Sequence, residues 1–182
     1  MDKFSQRAEI QRRIKTLSPA YCRTADLSIF RRILALPEYT EASCIFCYVS
    51  TEKEINTRPL IVDAWNHGKR VAVPKCICNG IMEVFEIHSW EDLETGSYQI
   101  LEPKASCTPI APSEIDFAII PCVSCDRQKN RLGHGGGYYD RYLRSAAFPC
   151  AAVCREKLML RRVCHEPHDY PIDMVISESA IY

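Results

Sequence analysis

A short and almost uninterrupted apolar run, IDFAIIP at residues 115–121, constrains the fold more than any other segment. A strand with so few polar positions is typical of a parallel sheet that is buried on both faces. Further strands are predicted at residues 44–49, 70–74, 81–87, 151–154 and 173–177. Helices are predicted at residues 3–17, 19–36, 57–68 and 138–145. This alternation predicts an α/β fold of three layers, α/β/α, around a mostly parallel sheet.

Local signals set some of the boundaries between these elements. Thr57 is the expected N-cap of the third helix, which would end near Gly68. Ser89, followed by Trp-Glu-Asp, carries a second capping signal. The proline-rich residues 102–112 are predicted to form a loop.

The length and charge of the chain limit its organisation and its partners. Its 182 residues favour one domain, residues 1–182. The 23 basic residues balance the 23 acidic ones, so no overall charge attracts nucleic acid or an anionic membrane. No apolar run approaches the roughly 18 residues of a membrane span, and the N-terminus lacks the apolar segment of a signal peptide. We therefore expect a cytoplasmic monomer with neither nucleic-acid nor membrane partners.

The first 20 residues are more basic than the rest of the chain. They contain two acidic residues and five basic ones, namely Lys3, Arg7, Arg12, Arg13 and Lys15. Such a cluster can meet an anionic small molecule, or it can be the solvated face of a helix. On composition alone the solvated face is favoured.

Eleven cysteines include two Cys-x-x-Cys pairs, Cys44 with Cys47 and Cys122 with Cys125. The two pairs lie too far apart for a zinc ribbon. In a strand, Cys44 and Cys47 would face opposite sides of the sheet, so they could not share a metal ion. We interpret these thiols as small buried apolar side chains in a reducing compartment.

Four of the seven glycines lie in RLGHGGGYYD, residues 131–140. The segment follows a buried strand and precedes a predicted helix, where open α/β sheets bind ligands. Arg131 adds a planar, permanent charge that suits phosphate oxygens. The segment lacks the Lys-Ser/Thr of a Walker A loop and the sixth-position glycine of a dinucleotide fingerprint. Phosphate binding is favoured over a purely structural turn.

The same segment, extended to RLGHGGGYYDRYL, resembles the signature of the 5-formyltetrahydrofolate cyclo-ligase family. Other motifs support the resemblance along most of the chain. They are the N-terminal Lys-x-x-x-Arg of Lys3 and Arg7, EINT at residues 54–57, GKRVAVPK, YQILEP, and HDYPID at residues 168–173. The resemblance implies a Rossmann-like fold similar to the NagB/RpiA/CoA-transferase-like fold. It also implies cyclisation of 5-formyltetrahydrofolate to 5,10-methenyltetrahydrofolate with ATP and Mg²⁺, through a phosphorylated formyl group.

The resemblance also assigns roles to individual residues. Lys3, Arg7 and Arg131 are the implied catalytic cations. The implied ATP contacts are Lys3, Arg7, Arg131, Leu132, Gly133, His134, Gly135, Gly136, Gly137, Tyr138 and Tyr139. The implied folate contacts are Val49, Glu54, Tyr98 and Tyr138. The implied magnesium ligands are Asp140 and Asp169.

Several positions depart from the family pattern. Cys122 and Cys125 replace a glycine and an aromatic residue, Gln6 replaces a leucine, and Gln99 replaces a glycine. Asn130 replaces a glycine, and we expect it to keep the turn because asparagine tolerates a left-handed backbone. Two alternatives remain at this point: a non-catalytic folate or nucleotide binder, and an α/β enzyme that binds coenzyme A or a sugar phosphate.

Overall fold

A six-stranded sheet forms the centre of the described part of the chain, residues 1–96 and 100–182 of a computed structural model. Its strand order is β10-β9-β6-β1-β2-β3, and all neighbours are parallel except β2 and β3. The strands of this sheet are β1 (Cys44–Cys47), β2 (Arg70–Cys78), β3 (Ile81–Ile87), β6 (Phe117–Ile120), β9 (Cys150–Val153) and β10 (Met174–Ile176). Two small ribbons join β4 (Leu93–Thr95) to β5 (Leu101–Pro103), and β7 (Ser124–Cys125) to β8 (Arg131–Leu132).

Helices cover both faces of the sheet, as predicted for three layers. The helices are α1 (Lys3–Ile14), α2 (Pro19–Leu34), α3 (Pro37–Thr40), α4 (Arg58–Asn66) and α5 (Tyr138–Tyr142). Buried residues of α2, α3 and α4 form one apolar core with one face of the sheet. α1 and α5 pack into the second core, on the opposite face. Within the described ranges, no helix combines the length and apolar character needed to cross a membrane.

The central strand β6 is completely buried, as its sequence predicts. Cys44 and Cys47 belong to the two different cores, which confirms that they face opposite sides of β1. The capping signal at Ser89 is confirmed by a 3₁₀-helix, Trp90–Asp92, with a capping box.

The strand β2 extends beyond its predicted end at Pro74 and reaches Cys78. Pro74 has no N–H to donate, which usually ends a central strand. Here β2 pairs with β1 only at residues 70–72, and from Pro74 onward its only sheet partner in the described chain is β3. Proline is tolerated where a strand has one free edge.

The helix after the glycine segment is shorter than predicted. α5 ends at Tyr142, and a 3₁₀-helix, Leu143–Ser145, completes the segment. Phe46 of β1 anchors α5, because its ring stacks on Tyr139 at 6.0 Å and meets Tyr142 edge-on at 5.6 Å. This packing holds α5 against the sheet although the helix is only five residues long.

Candidate active site

A cavity of about 1030 Å³ opens at the carboxyl ends of the parallel strands. The chain runs outward from β1 through β2 to β3, then returns to β6 and continues outward on the other side. β1 and β6 are therefore neighbours at the point where the strand order reverses, where open α/β sheets bind ligands. Val49 and Glu54 follow β1, Pro121 and Cys122 follow β6, and all four line the cavity.

One oxygen of the Glu54 carboxylate is hydrogen-bonded within its own loop, and the other faces the glycine segment. Its Oε2 accepts hydrogen bonds from the N–H and the hydroxyl of Thr51, both at 2.8 Å. Its Oε1 lies 3.9 Å from Nε2 of His134, which belongs to the glycine segment. Glu54 and the glycine segment therefore face each other across the same cavity.

Thr57 is the N-cap residue of α4, as predicted, but its side chain makes no capping hydrogen bond. Its buried hydroxyl donates instead to the carbonyl of Tyr48 at 2.7 Å and accepts the N–H of Ser50 at 3.1 Å. These bonds close the loop between β1 and α4, which carries Glu54. The threonine of the EINT motif thus fastens the loop that presents its glutamate.

The glycine segment curves around the cavity with two left-handed residues, Gly135 at φ 104° and Gly137 at φ 67°. Residues 133–139 all line the cavity. Arg7 of α1 reaches across and donates from Nε to the carbonyl of Gly133 at 2.7 Å. Leu132 is fully buried in the core, so its side chain does not face the cavity.

Arg131 lies beneath the glycine segment rather than free in the cavity. Its side chain is 4% exposed, and Nη2 pairs with Asp140 Oδ1 at 2.9 Å. Nη1 donates to the carbonyl of Pro121 at 3.3 Å, while Nε is buried without a hydrogen-bond partner among the described residues. Arg131 therefore joins β6, the glycine segment and α5.

Lys3 connects the first helix to the last loop of the site. Its Nζ lies 2.6 Å from Asp169 Oδ1 and 2.5 Å from Glu166 Oε2. Burial opposes the charged amine, but the bonds to the two carboxylates outweigh it and raise the pKa of Lys3. Burial opposes the charged form of Asp169 as well, yet Lys3 and the N–H of Glu166 hold its pKa below the usual value.

The two aspartates expected to bind magnesium lie in one corner of the cavity. Asp140 Oδ1 accepts the N–H of Tyr170, the residue after Asp169, at 3.2 Å. Glu166, His168 and Asp169 also place possible ligand atoms within 4.8 Å of one another. Both aspartates are paired with cations in this structure, Asp140 with Arg131 and Asp169 with Lys3.

Tyrosines complete the wall of the cavity. Tyr138 and Tyr139 both line it, and burial raises the pKa of the Tyr139 phenol well above its usual value. The guanidinium of Arg131 lies 5.8 Å from the ring centroid of Tyr139. The third expected tyrosine contact, Tyr98, lies outside the described residues.

Some residues that shape the site have no obvious sequence signal. Gln6 is buried and docks α1, because its side chain donates to the carbonyl of Arg162 and accepts the N–H of Cys164, both at 2.9 Å. Arg141 donates to the carbonyls of Gly80 and Gly136, which links the β2–β3 turn to the glycine segment. For Gln6, the only signal in the sequence is its departure from the leucine of the family pattern.

Of the other departures from the family pattern, Gln99 lies outside the described residues. Cys125 is fully buried, as expected, whereas Cys122 is half-buried and its thiol donates to the carbonyl of Val153 at 3.1 Å. The turn before Arg131 is kept, as expected, but its left-handed residue is Lys129 at φ 68° rather than Asn130. Asn130 instead donates from its side chain to the buried carboxylate of Asp126 at 2.9 Å.

Comparison with known proteins adds a decisive observation to this geometry. The model of the 5-formyltetrahydrofolate cyclo-ligase family matches residues 1–178. The chain belongs to this family. The expectation of a cyclo-ligase-type enzyme is thus confirmed, and the coenzyme A or sugar-phosphate alternative is set aside.

Individual members of the 5-formyltetrahydrofolate cyclo-ligase family resemble the chain over different lengths. A Schizosaccharomyces pombe protein named "Probable 5-formyltetrahydrofolate cyclo-ligase" is 36% identical over 121 residues, 64% of this chain and 59% of that protein. The Escherichia coli K12 5-formyltetrahydrofolate cyclo-ligase is 29% identical over 95% of this chain and 98% of its own. The structure of Aquifex aeolicus 5,10-methenyltetrahydrofolate synthetase superposes with a TM-score of 0.87 at 25% identity, covering 100% of this chain and 92% of that one.

Proposed function

We propose that the chain catalyses the ATP- and Mg²⁺-dependent cyclisation of 5-formyltetrahydrofolate to 5,10-methenyltetrahydrofolate, with release of ADP and phosphate. The observation that carries this proposal is the cavity at the carboxyl ends of β1 and β6. It brings the EINT glutamate, Glu54, within 3.9 Å of His134 in the glycine segment. A folate-binding loop and a phosphate-binding loop on one cavity suit a reaction between a folate and ATP.

The chemistry explains why such an enzyme needs ATP. A formamide oxygen is a poor leaving group, so the γ-phosphoryl group is first transferred to that oxygen. The N5–C bond then has iminium character, and N10 attacks the carbon with loss of its proton. The C–O bond breaks, phosphate leaves, and the second C–N bond closes the ring. The protein mainly positions the two substrates and neutralises charge.

The basic residues along the glycine segment are assigned to the ATP phosphates. Lys3, Arg7 and Arg131 supply the positive charge, and the residues from Leu132 to Tyr139 supply backbone and side-chain contacts. Leu132 would act only through its backbone, since its side chain is buried. Arg131 would stabilise charge that develops during transfer, and its unpartnered Nε supports that role.

The loop after β1 is assigned to the folate. Oε1 of Glu54 lies 3.9 Å from Nε2 of His134, beyond hydrogen-bond distance, and a carboxylate oxygen can accept hydrogen bonds from the amino and ring N–H groups of a pterin. Val49 and Tyr138 border the same space, and Tyr98 is assigned to stacking on the pterin.

Asp140 and Asp169 fit a magnesium ion by their chemistry, because carboxylate oxygens are the hard ligands that Mg²⁺ prefers. When bound, the ion neutralises phosphate charge and orients the phosphoryl group. Asp140 and Asp169 would then release Arg131 and Lys3, which are their partners in this structure, toward the phosphates.

Two further observations bear on the compartment in which the enzyme works and on its organisation. All eleven cysteines lie in the described part of the chain and are free thiols, which supports a reducing, cytoplasmic compartment. The family model spans residues 1–178, which supports action as a single domain, and a monomer stays the prediction from the sequence.

The direct test is to follow methenyl absorbance and phosphate release from 5-formyltetrahydrofolate, with and without ATP and Mg²⁺. We expect equal amounts of both products, and only when ATP and Mg²⁺ are both present. Ligand binding without turnover would instead identify the chain as a non-catalytic relative.

We expect Glu54→Gln to raise the KM for 5-formyltetrahydrofolate far more than the KM for ATP. Loss of one charge-assisted hydrogen bond costs about 1.5–3 kcal/mol, roughly a 10- to 150-fold change. Steady-state kinetics with each substrate varied in turn would measure both constants. Glu52→Gln is the control, because Glu52 is an exposed carboxylate of the same loop that does not line the cavity. An unchanged folate KM in Glu54→Gln would rule out this assignment.

We expect Gly137→Ala to raise the KM for ATP several-fold, because the change distorts the glycine segment. A left-handed alanine costs about 1–2 kcal/mol, and the added Cβ would lie 3.0 Å from Nη1 of Arg141. Gly68→Ala is a matched control, since Gly68 has φ 70° but nothing within 4 Å of an added Cβ. Thermal melts should show similar destabilisation of both variants, with only Gly137→Ala altering the ATP KM. If Gly137→Ala and Gly68→Ala had the same KM for ATP, the glycine segment would not be part of the ATP site.

A further inference from the structure

A mostly buried ion pair packs against the loop that carries Glu54, and its arginine also borders the cavity. Arg155 follows β9 and is only 4% exposed, and its partner Asp26 lies in α2. Nε of Arg155 donates to Oδ1 of Asp26 at 2.7 Å, and Nη2 donates to Oδ2 at 2.9 Å. Two parallel bonds of this kind fix the orientation of both side chains.

The same two side chains also bond to the backbone of the loop. Arg155 donates from Nη1 to the carbonyl of Lys53 at 3.3 Å, and from Nη2 to the carbonyl of Glu54 at 2.8 Å. Asp26 Oδ2 accepts the N–H of Asn56 at 3.1 Å. The ion pair therefore bonds to the loop backbone at Lys53, Glu54 and Asn56, on both sides of the Glu54 side chain.

We propose that Asp26 and Arg155 are positioning residues that fix Glu54 for the folate, and so determine folate affinity. This inference rests on the proposed contact between Glu54 and the pterin. The hydrogen bonds from Thr51 fix Oε2 of Glu54 relative to the loop, but Arg155 and Asp26 fix the loop relative to the sheet. Displacing a positioned group by about 1 Å can cost as much as a hundredfold in rate.

A conservative change at Arg155 tests this role without unfolding the loop. Thr57 and Tyr48 hold the same loop independently, since the Tyr48 hydroxyl donates to the carbonyl of Ile55 at 3.1 Å. Arg155→Lys keeps the charge beside Asp26, so it leaves no unpaired buried carboxylate. A lysine cannot reach Asp26 and two carbonyls with the geometry of a guanidinium fork.

We expect Arg155→Lys to raise the folate KM about tenfold, with kcat and the ATP KM within about twofold of wild type. Asp26→Asn is a second variant with the same expected direction, and thermal melts verify that both are folded. Arg32→Lys is the matched control. Like Asp26, Arg32 lies in α2, and like Arg155 it donates to two backbone carbonyls, those of Glu178 and Ser179. None of Arg32, Glu178 and Ser179 lines the cavity described above.

A double-mutant cycle with Glu54→Gln separates positioning from other effects. If Arg155 acts through Glu54, Arg155→Lys should add little to the folate KM once Glu54 is changed. Fully additive effects, as for a direct substrate contact or a general loosening of the fold, would overturn the inference. An unchanged folate KM in Arg155→Lys would overturn it too. If Glu54→Gln alone leaves the folate KM unchanged, the assignment of Glu54 itself fails, which is a separate and recognisable outcome.

Discussion

Arg131→Ala is expected to slow the single-turnover formation of methenyltetrahydrofolate by about 10²–10³-fold, with a much smaller effect on folate affinity. The guanidinium contacts Asp140, Pro121 and the face of Tyr139, and its Nε is buried without a hydrogen-bond partner among the described residues. Charge on the transferring phosphoryl group is greatest in the transition state, so the loss should fall on the rate. Rapid-quench measurement of phosphate release would give this rate directly.

Arg127→Ala is the control for this experiment. Arg127 lies on the same turn between β7 and β8, but it is exposed and pairs with Glu156 outside the cavity. Arg131→Lys should recover part of the rate, because it keeps the charge without the planar fork. If Arg131→Ala turned over at the wild-type rate, Arg131 would be an anchor of the glycine segment and nothing more.

Asp140→Asn and Asp169→Asn should each raise the Mg²⁺ concentration for half-maximal activity by about 10- to 100-fold. Each change removes a formal negative charge from the corner where the two side chains lie. Activity titrated with Mg²⁺ at fixed ATP gives the constant, and circular dichroism verifies the fold.

High Mg²⁺ separates this prediction from the previous one. Saturating ion should restore most of the activity of the two aspartate variants, but it should leave Arg131→Ala slow. Glu91→Gln, which changes an exposed carboxylate outside the cavity, should titrate like wild type. A wild-type Mg²⁺ requirement in both aspartate variants would exclude the proposed metal site.

Patterns that act over a few neighbouring residues predicted the fold well. The apolar run at residues 115–121 identified the central strand, and the alternation of elements identified the three layers. Burial on both faces requires a continuous apolar sequence, so this information is local. Thr57 lies at the predicted N-cap position, but it makes no side-chain cap, because its hydroxyl bonds to the loop that precedes it.

The details of the site depend on contacts between distant residues, which local patterns do not encode. Asp26 and Arg155 are 129 positions apart in the sequence, and no local pattern around either residue indicates that the other is its partner. Arg131 borders the cavity, but its pairing with Asp140 and its bond to the carbonyl of Pro121 depend on how β6, the glycine segment and α5 pack together. The sequence therefore predicts the residues that carry out the chemistry, whereas the residues that orient them are identified only from the structure.

The ion pair between Lys3 and Asp169 joins positions 166 residues apart in the chain. Contacts of such long range form late in folding, because the entropy of closing a large loop must be offset by structure already present. During synthesis the sheet through β9 can assemble before residues 166–169 leave the ribosome. We therefore expect the phosphate side of the cavity to mature last, so that a nascent chain acquires a stable sheet before it acquires a complete site.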